Sequence, residues 1–185
     1  MKLDSRLGPL LLALHLAALA FALAPPVFFG AVVAPEVFHV LPTRDMAGAL
    51  QSPILSKMCG LAEASFLVLF VTSWLLTRDA PKGTKALLTR LPVLGFFAAL
   101  VIRQLLIPPI DRIRAEAPGL IDNLAASDPA RVLLNRYHRL ATGFFTLEIA
   151  AALITLLVTA RLLVQHREAP AAPAAPKAAP KILDL

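Results

Sequence analysis

The chain has 185 residues, of which 58% are hydrophobic and only 16% charged, with a mean hydropathy of +0.73. Soluble domains average about 45–50% apolar and about 25% charged, and a chain this short cannot hide the excess inside itself; a soluble enzyme is excluded and bilayer lipid is the matching solvent. The net charge of +6 and pI of about 10.1 are assigned to loops facing anionic lipid rather than to nucleic acid, and the one cysteine, Cys59, excludes a disulfide framework or a CxxC metal site.

Four apolar runs follow in chain order. The first extends over about residues 7–33, behind Lys2 and Arg6. Ala22-Leu23-Ala24 has the look of a signal-peptide cleavage triplet, but Pro25 follows and the run continues to Val33, so an uncleaved signal-anchor helix is expected. Pro25-Pro26 should break or kink it. The second run covers about 54–76, with Trp74 at the interface position near its end. The third covers about 89–107 and should stop at Pro108-Pro109, and the fourth covers about 140–164, ending in Gln165-His166-Arg167. Each is long enough to cross ~30 Å of hydrocarbon at ~1.5 Å per residue.

The connections differ in kind. Residues 34–53 contain three prolines and read as a loop with one interfacial turn, and 77–88 as a tight polar turn. Residues 108–138 read as one or two short surface helices, with a helix start at Ser127-Asp128-Pro129. The Ala/Pro-rich tail, 169–185, has almost nothing to bury and reads as disordered. The expected fold is all-α: one domain, residues 1–168, forming a four-helix transmembrane bundle with a surface-lying helical segment, and the tail beyond it. The short turn at 77–90 carries Arg78, Lys82, Lys85 and Arg90, which places it and both termini in the cytoplasm of a bacterial inner-membrane, multi-pass protein.

Ionisable residues inside the spans are informative because each costs about 2.5–3.5 kcal/mol at mid-helix on insertion scales. Glu63, Arg103 and Glu148 fall within one or two helical turns of a common level on three helices, so Arg103 is expected to compensate one or both carboxylates. Three readings are open: interhelical glue, an arginine snorkelling to the headgroups, or a proton or cation site. Helical spacing places Glu148, Ala152, Thr155 and Thr159 on one inward stripe, and Ser56, Cys59, Glu63, Leu67, Phe70 and Trp74 on another. Gly60 and Ala64 form a small-xxx-small pair beside Glu63. His15, two turns into the first span, reads as a hydrogen-bonding partner for a neighbouring helix, a proton relay or a haem ligand. Glu36, His39 and His138 form a weak candidate metal set, and Cys59 reads as a small apolar residue.

Several segments carry a resemblance: Leu14-His15-Leu16, Phe28-Phe29-Gly30, Ala34-Pro35-Glu36-Val37-Phe38, Ile107-Pro108-Pro109-Ile110-Asp111-Arg112, and Asn135-Arg136-Tyr137-His138-Arg139. In order and spacing, over about residues 8–165, the chain resembles a bacterial membrane family of unknown function related to the transmembrane-protein-205-like proteins. It departs from that pattern at Ala24-Pro25-Pro26 and at Ala141, where a glycine-rich step and a serine are usual. The resemblance extends distantly, in topology, to copper-resistance and haem-dependent protoporphyrinogen oxidase membrane proteins. It implies a membrane bundle and, through His15 alone, a haem or metal alternative.

No nucleophile–base pair, phosphate loop or dinucleotide fingerprint is present. The sequence reading is therefore a non-enzymatic inner-membrane protein, structural or transport-accessory, with the lipid bilayer as its partner. The alternative is a haem- or metal-handling protein that uses His15.

Overall fold

The computed structural model describes residues 7–78 and 80–168. The expected tail at 169–185, and Lys2 and Arg6, lie outside the described residues. Four helical columns run up and down. The first is α1 (Leu7–Phe28), a π-helical turn at Phe29–Val33 and α2 (Ala34–Val40). The second is α3 (Arg44–Leu76). The third is α4 (Lys82–Val101), a π-helical turn at Ile102–Leu106 and α5 (Ile107–Glu116). The fourth is α6 (Pro129–Glu168). All four columns are long and apolar enough to cross a membrane.

The columns are longer than the sequence suggested, mostly at the Thr43 end; α4 also begins at Lys82, inside the stretch 77–88 read as a tight turn. The 40 residues of α6 correspond to about 60 Å at ~1.5 Å per residue, twice the ~30 Å hydrocarbon core. The segment 34–53 is not a loop: helix continues to Val40 and resumes at Arg44, after Thr43 accepts a hydrogen bond from the Met46 N–H at 3.1 Å. Nor do surface helices fill 108–138. Most of that stretch is α5 and the start of α6, which extend the spans, and a 3₁₀ turn at Ile121–Asn123 bridges them. The start at Pro129 is as expected, with Asp128 Oδ1 accepting from the Ala130 N–H at 2.8 Å.

The prolines do not end helices here. Pro25 and Pro26 sit inside α1, and Pro108 and Pro109 inside α5. A helical proline clashes with the carbonyl four residues before it. For Pro35 and Pro108 those carbonyls belong to Ala31 and Gln104, and both lie within the two π-helical turns. Widening the helix there removes the clash while the neighbouring amides stay hydrogen-bonded, which hydrocarbon requires of backbone.

The columns form a square: α1 packs on α3 and α6, and α4 packs on α3 and α6. Small side chains dominate the shared core, including Ala18, Ala22, Ala62, Ala99 and Ala152, around the fully buried Phe66, Leu69 and Ile102. The α6 stripe expected to face inward does so, with Glu148, Ala152, Thr155 and Thr159 all buried. The α3 stripe is rotated from its expected position. Cys59, Ala62, Phe66, Leu69 and Thr72 are buried, whereas Leu67, Phe70 and Trp74 are 57%, 38% and 47% exposed.

Candidate functional site

Glu63 on α3, Arg103 in the second π-helical turn and Glu148 on α6 lie near mid-height of the bundle. Arg103 Nη1 donates to Glu63 Oε2 at 2.9 Å. Gly60, one turn before Glu63, makes room for this pair: a Cβ there would lie 3.3 Å from Arg103 Nη1. No hydrogen bond or ion pair joins Arg103 to Glu148 among the described residues. Glu148 is 1% exposed and lies close enough to Glu63 for the two charges to interact, and Cys59 lies within reach of all three charges. Glu63 Oε1 and Glu148 Oε2 are buried without a hydrogen-bond partner. The arrangement is an ion pair, Arg103–Glu63, with a second buried carboxylate, Glu148, near Glu63 and unpaired with the guanidinium.

His15 occupies a separate position near the Thr77 end. Its Nδ1 lies 2.9 Å from Thr72 Oγ1 on α3 and its Nε2 lies 3.1 Å from Thr159 Oγ1 on α6, so one buried ring ties three helices together. Both hydroxyls also donate within their own helices, Thr72 to the Val68 carbonyl and Thr159 to the Thr155 carbonyl, each at 2.8 Å. A neutral imidazole carries one N–H. One hydroxyl can accept from the ring while keeping its own bond; the other must turn away from its carbonyl to donate. A cavity of about 510 Å³ opens beside the ring, lined by His15, Ser73, Thr77, Leu88 and Thr159. The ring as placed offers no free nitrogen to a haem iron.

The weak metal set is not gathered. Glu36 and His39 are exposed on α2, His138 lies on α6, and among the described residues no three His, Cys, Asp or Glu side chains stand together as a metal site.

Sequence reasoning overlooked two site residues, Arg114 and Thr72. Arg114 on α5 lies across Gly48 of α3, so closely that a Cβ on Gly48 would fall on the guanidinium, 2.1 Å from Nη2. The signal was present: Ile107, Ile110 and Arg114 recur at helical spacing, and both isoleucines are buried. Thr72, the partner of His15, was likewise missed because the α3 face was misassigned.

Residues 17–119, just over half of the chain, match the family described as a domain of unknown function (DUF4149). The match runs from inside α1 to just past α5 and includes Glu63, Arg103 and Arg114, while His15 and Glu148 fall outside it. No curated protein and no solved structure matches the chain. An all-helical bundle of four membrane-length helices, together with a family match over most of three of its columns, makes this chain a member of the DUF4149 family.

Proposed function

We propose that the chain is a non-enzymatic inner-membrane protein, structural or transport-accessory, whose Glu63–Arg103–Glu148 group holds an exchangeable proton or small cation. One observation supports this above the rest: the one guanidinium in the group pairs with Glu63 alone, and Glu63 Oε1 and Glu148 Oε2 are buried without a partner. A second uncompensated negative charge in hydrocarbon costs several kcal/mol, and a proton or a cation on Glu148 removes that cost. Pure interhelical glue would be expected to leave no carboxylate oxygen bare.

In this reading residues 1–168 are the membrane domain and 169–185 a dispensable tail. Both termini are cytoplasmic. The basic residues Arg78, just after α3, and Lys82, Lys85 and Arg90, in the N-terminal part of α4, support that orientation. A relation to the transmembrane-protein-205-like proteins accords with the DUF4149 match and adds no reaction.

Infrared spectroscopy of the protein in lipid tests the reading. A protonated-carboxyl band that disappears in Glu148→Gln identifies a resident proton. Sodium- or potassium-dependent thermal stabilisation that disappears in the same variant identifies a cation. A wild-type protein showing neither, with Glu148→Gln unchanged in stability, reduces the group to a structural contact.

The rival reading, a haem- or metal-handling protein, rests on His15 and the cavity beside it. It requires one ring nitrogen to leave its threonine. A Soret band after haem-supplemented expression, absent in His15→Ala, would establish it, and a colourless preparation would dispose of it.

A further inference from the structure

At the Thr43 end the square of helices does not close. There α2 packs on α3, and α5 packs on both α3 and α6, but among the described residues α2 makes no comparable contact with α6. The crevice left between α2 and α6 holds a cavity of about 290 Å³, with Ile107, Ile110, Ala141 and Phe145 among its lining residues. Its floor is the edge-to-face pair Phe29–Phe145, with ring centroids 6.2 Å apart. Gly30 faces the same ring, and a Cβ there would meet Phe145 Cε1 at 3.6 Å.

The cavity changes character along its length. Arg114 and His138 line the apolar cavity and also an adjoining polar one of about 520 Å³, whose other lining residues include Arg44, Arg131, Asp45 and Asp122. The Arg114 guanidinium is held over Gly48, and its Nε is buried with no hydrogen-bond partner. The nearest carboxylate is Asp111, 3.8 Å from Nη1, and that carboxylate already accepts from Ser52 Oγ at 2.7 Å. Asp45 and Asp122 accept backbone N–H groups, from Ile121 and Arg44 respectively. Arg131 donates to the Leu124 carbonyl at 2.6 Å. Of the cationic side chains at the mouth, Arg114 is thus the one that is cradled, largely buried and only loosely paired.

The direction of this polarity matches a lipid. Counting ~30 Å of hydrocarbon, about twenty residues, up α3 from the interfacial Trp74 reaches the level of Leu55. Leu55 and Phe145 therefore lie at acyl-chain depth, and Gly48, Arg114 and His138 at headgroup depth. Whichever face of the membrane this end occupies, the apolar part of the cavity points to the bilayer centre and the cation to the surface.

The geometry points to a binding site for one anionic amphiphile, its oxyanion on Arg114 and one acyl chain between α2 and α6, above Phe29 and Phe145. The inference is independent of the Glu63–Arg103–Glu148 reading. Carboxylate and phosphodiester heads share the chemistry that Arg114 recognises, as bidentate acceptors for a guanidinium.

Full-length protein in phosphatidylcholine nanodiscs, labelled with a photoactivatable palmitate, tests it. Labelling is expected to concentrate on α6 around Ala141–Phe145 and on α2. Arg114→Gln should lower that labelling about tenfold, the loss expected for one hydrogen bond to a charged partner, and leave labelling by the corresponding uncharged alcohol unchanged. Arg114→Lys, which keeps the charge and loses the bidentate fork, should label between wild type and Arg114→Gln, which separates loss of charge from loss of fold. Asp111→Asn, which removes the competing anion and keeps an acceptor for Ser52, should raise it. Ala141→Phe, filling the cavity, should abolish labelling by both probes. Competition then distinguishes the head: displacement by unlabelled palmitate at mole fractions where phosphatidylglycerol has no effect identifies a fatty acid, and the converse an anionic phospholipid. Labelling spread evenly over all lipid-facing helices, equal labelling of Arg114→Gln and wild type, or displacement by neither competitor overturns the proposal.

Discussion

The ring of Phe66 occupies the space where a side chain on Gly95 would begin. A Cβ built on Gly95 would lie 2.3 Å from Phe66 Cζ and 2.4 Å from Cε1. Phe66 is fully buried, so α3 and α4 can be this close only because Gly95 is bare. Gly95→Ala should therefore destabilise the bundle by about 1–3 kcal/mol, the usual cost of overpacking a filled core. Thermal unfolding in detergent measures it. Gly95→Ala combined with Phe66→Leu should recover part of the loss if the clash is its cause.

Arg103 and Glu63 form a pair whose members differ in exposure, 38% for the arginine side chain and 14% for the glutamate. Breaking a fully buried pair costs about 3–5 kcal/mol, and the partial exposure of Arg103 reduces that here. Arg103→Leu should still destabilise, because it leaves Glu63 without its counter-charge near a second buried carboxylate, Glu148. The triple change Arg103→Leu, Glu63→Gln, Glu148→Gln should recover much of the loss, since neutral side chains need no compensation. Simple additivity of the three single changes in thermal unfolding would mean that they do not interact.

His15 connects α1 to Thr72 and Thr159. Thr72→Val or Thr159→Val each leaves one buried ring nitrogen bare, at a cost of about 1–3 kcal/mol. The double valine variant should be less stable than His15→Leu. In the leucine variant both hydroxyls keep their carbonyl partners on their own helices, and no polar atom is stranded. The reverse order in thermal unfolding would mean that the ring contributes by shape rather than by hydrogen bonding.

The proposed orientation has both termini in the cytoplasm. Alkaline phosphatase fused after Lys181 should be inactive and a fluorescent protein fused there bright. Strong phosphatase activity would invert the bundle, leaving its internal geometry intact.

Much of the fold was legible because it depends on one-dimensional quantities. Length, hydropathy and a fixed rise per residue dictate four membrane-length helices, and they bring Glu63, Arg103 and Glu148 to a common level. Asp128-Pro129 marks the start of α6 because an N-cap acceptor and a proline at the first helical position act through local geometry alone.

The tertiary structure decided what local rules leave open. Sequence spacing misassigned the face of α3 because lipid and bundle interior are both apolar, so hydrophobicity does not separate Leu67, which is exposed, from Phe66, which is buried. Pro108 and Pro109 read as a stop, yet backbone without water keeps its hydrogen bonds by widening into a π-helical turn, and α5 continues beyond it. That Arg103 bonds Glu63 and not Glu148, and that Arg114 rests on Gly48, follows from side-chain approach between helices far apart in sequence. Neither periodicity nor composition encodes that approach, because it depends on the rotation and separation of whole helices, which only their mutual packing sets.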